Sequence, residues 1–169
     1  MNLPPRPLFA EIYEIHGHRC PMSTLGGRLG FAARERLAGR APLTATYYIA
    51  TCAADGISVM TGCQKADHSL RIVPQDRHAL WLQDADGCGV FAELSNHALQ
   101  LAGEYRTLDQ EFLKAEARLS AAERQQRQTT KELFLDALLQ KLWTLPDEEL
   151  MIFATTLPAD LAGIQDWKR

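Results

Sequence analysis

A helical pattern that contains three glycines constrains the fold of this chain more than any other feature of its sequence. In the segment PMSTLGGRLGFAARERLA the apolar residues recur at helical spacing, which predicts a helix over Met22 to Ala38. Pro21 suits the start of this helix, because its missing N–H is not needed there. Three glycines, Gly26, Gly27 and Gly30, lie inside the segment, and each costs about 1 kcal/mol relative to alanine. We therefore expect another backbone segment or a ligand to lie directly against this helix.

The rest of the first half predicts short strands mixed with helices. Leu8 to Ile15 has the pattern of a short first helix. The segment LTATYYIATC is rich in β-branched and aromatic residues and predicts a buried strand that ends at Cys52. A short helix, AADGISVMT, follows and is closed by Gly62. Three further strands are predicted in HSLRIVP, HALWLQDA and CGVFAEL, and their turn-like connections indicate a meander.

From Ser95 onward the sequence is mainly helical. Apolar residues from Leu101 to Leu119 alternate steps of four and three, as in a helical seam. Ser120 and Glu123 match a capping box, so a second helix is predicted to run to about Trp143. The apolar face of this helix is predicted to contain Leu133, Phe134, Ala137, Leu138 and Leu142. The later segment MIFATTL is predicted to be a strand that closes the sheet.

These elements predict an α+β fold with a small, mainly antiparallel sheet packed with helices and a helical C-terminal part. Residues 1–95 are expected to form the α/β body. Residues 96–169 are expected to form a helical extension with a closing strand, either in the same domain or as a dimerisation element.

Two histidines and a cysteine lie within five residues, directly before the glycine-containing helix. Gly17 supplies the turn that tight ligand spacing requires between His16 and His18. Cys20 precedes a helix N-terminus, where the macrodipole and free N–H groups favour a thiolate. Thiolate and imidazole are ligands of zinc and of other divalent transition metals. The cluster therefore predicts a metal site or a reactive thiol.

The remaining cysteines are weaker candidates, and no CxxC pair is present. Cys52 is predicted where a strand ends and a helix begins, a position at which ligands gather in α/β folds. Cys63 lies eleven residues later, and a helix of about ten residues spans roughly 15 Å. Cys52 and Cys63 can therefore bind one ion only if the helix is shorter or the chain doubles back. Cys88 is interpreted as a small core residue, and His68, close to Cys63, is a lesser candidate.

Composition excludes several classes of function. The net charge of −3 over 169 residues gives no electrostatic argument for a nucleic-acid or membrane partner. No apolar run approaches the roughly 20 residues of a membrane span, and the N-terminus lacks the apolar region of a secretory signal. A cytoplasmic location with reduced thiols is expected. HExxH, the P-loop, the Rossmann glycine pattern and the Gly-x-Ser-x-Gly elbow are all missing.

The segments HGHRCPMSTLGGRLG, TCAADGISVMTGC and PDEEL together resemble the FmdE-like family, which takes its name from a component of formylmethanofuran dehydrogenase. The resemblance covers roughly residues 9–95 and the PDEEL element. Met22 stands where this family usually has glycine, and the segment after Cys63 departs from the family's Gly-Lys-Gly-Asn. The family's motifs map onto His16, Gly17, His18, Cys20 and Pro21, onto Cys52 and Asp55, and onto Thr61, Gly62 and Cys63.

The resemblance implies an α+β metal-binding protein, with zinc the expected ion and nickel or iron as alternatives. It also implies work alongside a molybdenum or tungsten oxidoreductase system, a homodimer and a small-molecule ligand. We expect the histidine–cysteine cluster and Cys63 to form the primary site, and Cys52 to be a ligand or to lie beside one. Five candidates exceed the four positions of a closed zinc site, so at least one should not bind. The candidate ligands are His16, His18, Cys20, Cys63 and Cys52. Asp55 is expected to orient a histidine or a ligand, and His68 is a candidate for an added metal ligand.

Two other interpretations stay open. With Cys20 as nucleophile and His18 as base, the chain would be a thiol-dependent enzyme or a redox sensor. With the seam from Leu101 to Leu119 exposed, the C-terminal helices would form a dimer or partner surface. The sequence does not predict whether any reaction is catalysed, or on which substrate.

Overall fold

Seven helices and a five-stranded mixed sheet make up the residues that the computed structural model describes, 3–37 and 41–163. The helices are α1 (Arg6–His16), α2 (Pro21–Leu37), α3 (Ala53–Thr61), α4 (Asn96–Glu116), α5 (Ala121–Thr144), α6 (Asp147–Leu150) and α7 (Ala159–Ala162). The strands are β1 (Thr44–Tyr47), β2 (Leu70–Ile72), β3 (Ala79–Gln83), β4 (Gly89–Leu94) and β5 (Met151–Ala154). None of the helices in these two ranges has the length and apolar character of a membrane span.

The sheet has the strand order β2-β1-β3-β4-β5. Only the β1–β2 pair is parallel, and the other three neighbouring pairs are antiparallel. The predicted α+β class with a mainly antiparallel sheet is confirmed. The predicted meander is confirmed for β3 and β4, which are adjacent and antiparallel, and is wrong for β2, because the crossover through α3 places β2 at the edge beside β1.

Strand β1 is shorter than predicted. It ends at Tyr47, which pairs with Leu80, and the partner strand β3 begins only one residue before Leu80. Without a partner strand the chain leaves the sheet, so Cys52 is the N-cap residue of α3 rather than the last residue of a strand. The predicted helix after it is confirmed, and Gly62 closes it with φ +79°.

The predicted close approach to the glycine-containing helix is confirmed, and the neighbour is α3. A Cβ atom on Gly26 would lie 2.0 Å from the carbonyl oxygen of Ala53. The contact is reciprocal, since a Cβ on Gly56 of α3 would lie 2.2 Å from the carbonyl oxygen of Ser23. Backbone therefore packs on backbone where α2 and α3 meet, and only glycine permits this distance.

The C-terminal helices pack on α2 and on each other. The capping box of Ser120 and Glu123 is present, as predicted. The predicted apolar face of α5 is partly wrong, because Leu133 is 66% exposed and Phe134 36% exposed. Leu138 and Leu142 of the predicted face are buried, and the other residues of this helix that face the core are Leu135 and Leu139. The predicted closing strand is confirmed as β5, which pairs with β4.

Arg28 of α2 is fully buried and joins the C-terminal part to the core. Its guanidinium donates to the carbonyl oxygens of Leu142, Trp143 and Leu145 at 2.6–2.9 Å. It also donates to Oδ1 of Asp147 at 2.8 Å. These carbonyls belong to the last turn of α5, so the arginine caps this helix from inside the protein.

Candidate metal centre

One group of histidine, cysteine and acidic side chains in the described part of the chain places its ligand atoms close enough to hold a metal ion. It consists of His16, Cys20 and Cys52, whose ligand atoms lie within 4.8 Å of one another. All three side chains are partly buried. Residues that are 36 positions apart along the chain thus meet at one point.

Each ligand comes from the end of a helix. His16 is the last residue of α1, and Gly17 then turns the chain with φ +84°, a left-handed conformation that glycine adopts without strain. Cys20 directly precedes α2, and Cys52 caps the N-terminus of α3. The glycine contact between α2 and α3 brings these two N-termini together and so sets the distance between the sulfur atoms.

The two sulfur atoms lie 3.5 Å apart. The hydrogen bond from the Cys52 thiol lowers the pKa of Cys20 to about 5, and the adjacent His16 acts in the same direction. The pKa of Cys52 is raised, because its proton is held in that hydrogen bond and because the side chain is partly buried. The pair therefore holds a single proton, and Cys20 carries the negative charge next to a helix N-terminus, where it is favoured.

Asp55 fixes the orientation of His16. Its Oδ2 lies 2.8 Å from Nδ1 of the imidazole, and it lies in the first turn of α3, three residues after Cys52. With Nδ1 engaged by a carboxylate, Nε2 is the ring nitrogen left to bind a metal. A carboxylate on the far nitrogen of a ligating histidine is a common arrangement that also raises the basicity of the ligand.

The donor set fits zinc. Two thiols and one imidazole are typical zinc ligands, and tetrahedral Zn–S bonds of about 2.3 Å place two sulfur atoms about 3.8 Å apart. The observed sulfur separation of 3.5 Å is close to that value. His16, Cys20 and Cys52 would therefore hold the ion, and one coordination position would remain for a fourth ligand.

Two predicted candidates from the loops lie outside this group. His18 is exposed, but the centroid of its ring is only 4.4 Å from that of His16. His68 is exposed in the turn that follows α3 and has a positive φ of 64°. His18 is thus the histidine whose ring lies against that of His16.

Cys63 is also outside the group, contrary to the expectation that it completes the primary site. It follows the C-terminal end of α3, a helix of nine residues that begins directly after Cys52. Such a helix is about 13 Å long. The Cys63 thiol is buried and donates to the carbonyl oxygen of Leu43 at 3.4 Å, and burial raises its pKa. Cys88, interpreted as a core residue, is exposed.

Two residues beside Cys20 were not predicted. The hydroxyl of Tyr13 lies 2.6 Å from that of Thr24, which in turn donates to the carbonyl oxygen of Cys20 at 2.9 Å. Burial raises the pKa of Tyr13. This chain of hydrogen bonds ties α1 to the first turn of α2 around the cysteine, and no spacing rule in the sequence would have identified it.

A protein-family model matches most of the chain. The model described as FmdE, molybdenum formylmethanofuran dehydrogenase operon, matches residues 15–152. The chain belongs to the FmdE family. The matched range includes the three ligand candidates, Asp55 and the PDEEL element.

Two similar proteins match over nearly the whole chain. A probable S-adenosyl-L-methionine-binding protein of Archaeoglobus fulgidus is 27% identical over 174 residues, which cover 96% of this chain and 46% of that protein. The chain thus spans about half the length of this relative. A tungsten formylmethanofuran dehydrogenase FmdE-like protein from Syntrophus aciditrophicus has a TM-score of 0.61 at 18% identity, covering 100% of this chain and 83% of its own. At that identity the likeness concerns the fold.

Proposed function

We propose that this FmdE-family protein binds a transition metal, zinc in the first place, through His16, Cys20 and Cys52. The observation that carries the proposal is the meeting of one imidazole and two sulfur atoms within 4.8 Å. Nickel and iron are the alternative ions, because imidazole suits them as well.

Three protein ligands leave one coordination position of a tetrahedral ion open, and the neighbouring residues decide which group fills it. His18 is the candidate for closing the site, since the centroid of its ring lies 4.4 Å from that of His16. If His18 stays exposed, water or a small molecule takes the position, which is the arrangement of catalytic zinc sites. A bound zinc ion would supply a Lewis acid there. Asp55 would hold the imidazole in one orientation in either case.

We further propose that the protein works in the cytoplasm as a homodimer, alongside a molybdenum or tungsten oxidoreductase system. The description of the family and the name of the S. aciditrophicus protein support this association. Light scattering on the purified protein tests the dimer, and co-purification with a molybdenum or tungsten enzyme from the native host tests the association.

The metal is tested by elemental analysis of protein purified without chelators and then reconstituted with zinc. We expect near-stoichiometric zinc in the unmodified protein and near-zero zinc in Cys20→Ala and Cys52→Ala. Cys88→Ala and Cys63→Ala are the matched controls, since neither sulfur belongs to the group, and both should retain zinc. X-ray absorption at the zinc edge should show two sulfur neighbours. Equally low zinc in all five proteins would end the proposal.

A second candidate function is thiol redox chemistry, and the sulfur separation of 3.5 Å favours it. Two thiols this close can form a disulfide and give two protons and two electrons to an oxidant, such as hydrogen peroxide, which becomes two molecules of water. In this function the partner of Cys20 is Cys52, rather than His18, the base predicted from the sequence. A reduced protein that takes up no zinc, yet loses two hydrogens in mass under mild peroxide, would favour this function over metal binding.

A further inference from the structure

A small cavity lies beside the candidate metal centre and is not part of it. Its volume is about 280 Å³, slightly below the roughly 300–1,000 Å³ of sites for drug-sized ligands. An occupant must therefore be small. The walls come from the end of α1, from α3 and from the loop that leads to β2, and the lining residues include Ile15, Ala54, Asp55, Lys65 and Leu70.

The walls of this cavity carry one acidic and one basic side chain. Asp55 uses Oδ2 to hold His16. Lys65 also lines the cavity, and within residues 3–37 and 41–163 its ammonium group has neither a hydrogen-bond nor an ion-pair partner. A cavity with both charges favours an occupant that places a negative group near Lys65 and a positive group near Asp55.

The remaining walls are mainly apolar. Ala54 and Leu70 are buried, whereas Ile15 is 61% exposed although it is a large aliphatic residue. An apolar group in the cavity would cover part of the Ile15 side chain and remove it from water, which is favourable in proportion to the area covered. The occupant should therefore have an aliphatic portion in addition to its two charges.

We propose that this cavity binds a small zwitterion of the α-amino acid class. Its carboxylate pairs with Lys65, its ammonium group faces Asp55, and its aliphatic side chain packs against Ile15. None of the three proposed metal ligands lines the cavity, so the proposal does not rest on metal binding. Because Asp55 also orients His16, amino-acid binding and metal binding would share one residue and should influence each other.

The test uses three probes on the full chain, namely L-norvaline, pentanoate, which lacks the amino group of norvaline, and butylamine, which lacks its carboxylate. Calorimetry and amide chemical shifts report their binding. We expect norvaline to bind about tenfold more tightly than either analogue, because each analogue leaves one charge of the cavity unpaired. Lys65→Gln should weaken norvaline binding by about tenfold and Lys65→Arg should largely retain it. Lys114→Gln, on the exposed part of α4, should change nothing.

Three results would overturn the proposal. These are failure of L-norvaline to bind at millimolar concentration, equal binding of the three probes, and an unchanged affinity in Lys65→Gln. Each titration is run on metal-free and on zinc-reconstituted protein, with zinc content measured separately. Failure of norvaline to bind at full zinc content would count against the cavity alone. Failure of the protein to take up zinc, while norvaline still binds, would count against the metal proposal alone.

Discussion

Replacing Gly26 by alanine should separate the two cysteines of the candidate metal centre without touching either one. The added Cβ would lie 2.0 Å from the carbonyl oxygen of Ala53, whereas ordinary contact begins at 3.4 Å. The two backbones must therefore move apart by about 1.4 Å. No side-chain rotation can relieve this contact, because both partners are fixed to helix backbones.

The displacement acts directly on the sulfur separation, because Cys20 precedes α2 and Cys52 precedes α3. From 3.5 Å in the unmodified protein, the separation would grow beyond the roughly 3.8 Å that a tetrahedral zinc ion requires. We expect zinc affinity to fall by more than about tenfold, since disturbance of residues around metal ligands alone has that effect. Overpacking of this kind should also lower the free energy of unfolding by about 1–3 kcal/mol.

Gly103→Ala in the interior of α4 is the matched control. A Cβ on Gly103 meets nothing within 4 Å, so this variant should keep its zinc affinity and gain about 0.5–1 kcal/mol from helix propensity. Competition with a chromophoric chelator measures the affinity, and urea denaturation measures the stability. If Gly26→Ala bound zinc as tightly as Gly103→Ala and unfolded at the same urea concentration, the helix contact would not be what positions the sulfur atoms.

Four other predictions test separate parts of the structure. Asp55→Asn should reduce zinc affinity by about 10–100-fold, while far-ultraviolet dichroism stays unchanged; equal affinity in both proteins would contradict its orienting role. Arg28→Met should lower the free energy of unfolding, measured in urea, by about 3–5 kcal/mol, because Asp147 and three helix-end carbonyls lose a buried partner. A loss below about 1 kcal/mol, as for a surface ion pair, would contradict this role of Arg28. In metal-free protein the pKa of Cys20 is near 5. The rate at which iodoacetamide alkylates Cys20 should therefore be almost constant from pH 8 to about pH 6 and fall only as the pH drops through 5. A Cys20 alkylation rate that still rises at pH 8 would contradict the proton shared with Cys52. Removal of zinc by a chelator should leave the urea transition cooperative, whereas loss of the transition would show that the metal holds the fold together.

Sequence patterns were sufficient for most of the fold. Helical spacing and turn residues located the helices to within a few residues, because these signals are local. The predicted meander was wrong for β2, because this strand joins the sheet beside β1 rather than beside β3. Strand order depends on how α3 crosses the sheet, and no short segment of sequence records that. The predicted face of α5 was wrong only on one side, because Leu138 and Leu142 are buried and the core lies toward Leu135 and Leu139 rather than toward Leu133 and Phe134.

For the site, the sequence named candidate residues but not which of them meet. His16, Cys20 and Cys52 were all candidates, and Asp55 was expected to orient a histidine; the structure brings these four together. Cys63 was expected in the primary site with the histidine–cysteine cluster, and it lies outside this group. Which cysteine meets Cys20 depends on which end of α3 packs on α2, and the contact of Gly26 with Ala53 lies at the start of α3, beside Cys52.

The same glycine contact explains why this centre should be formed before any metal binds. Gly26 and Gly56 belong to the interface between α2 and α3, whose buried neighbours such as Leu25, Leu29 and Ile57 form part of the main core. A zinc finger lacks such a core and needs the ion to fold. Here the positions of both sulfur atoms follow from packing that involves no ligand, so the binding energy of the ion is available for affinity or for holding a fourth ligand. The glycines, rather than the cysteines, are therefore the feature of the sequence that determines where the site is.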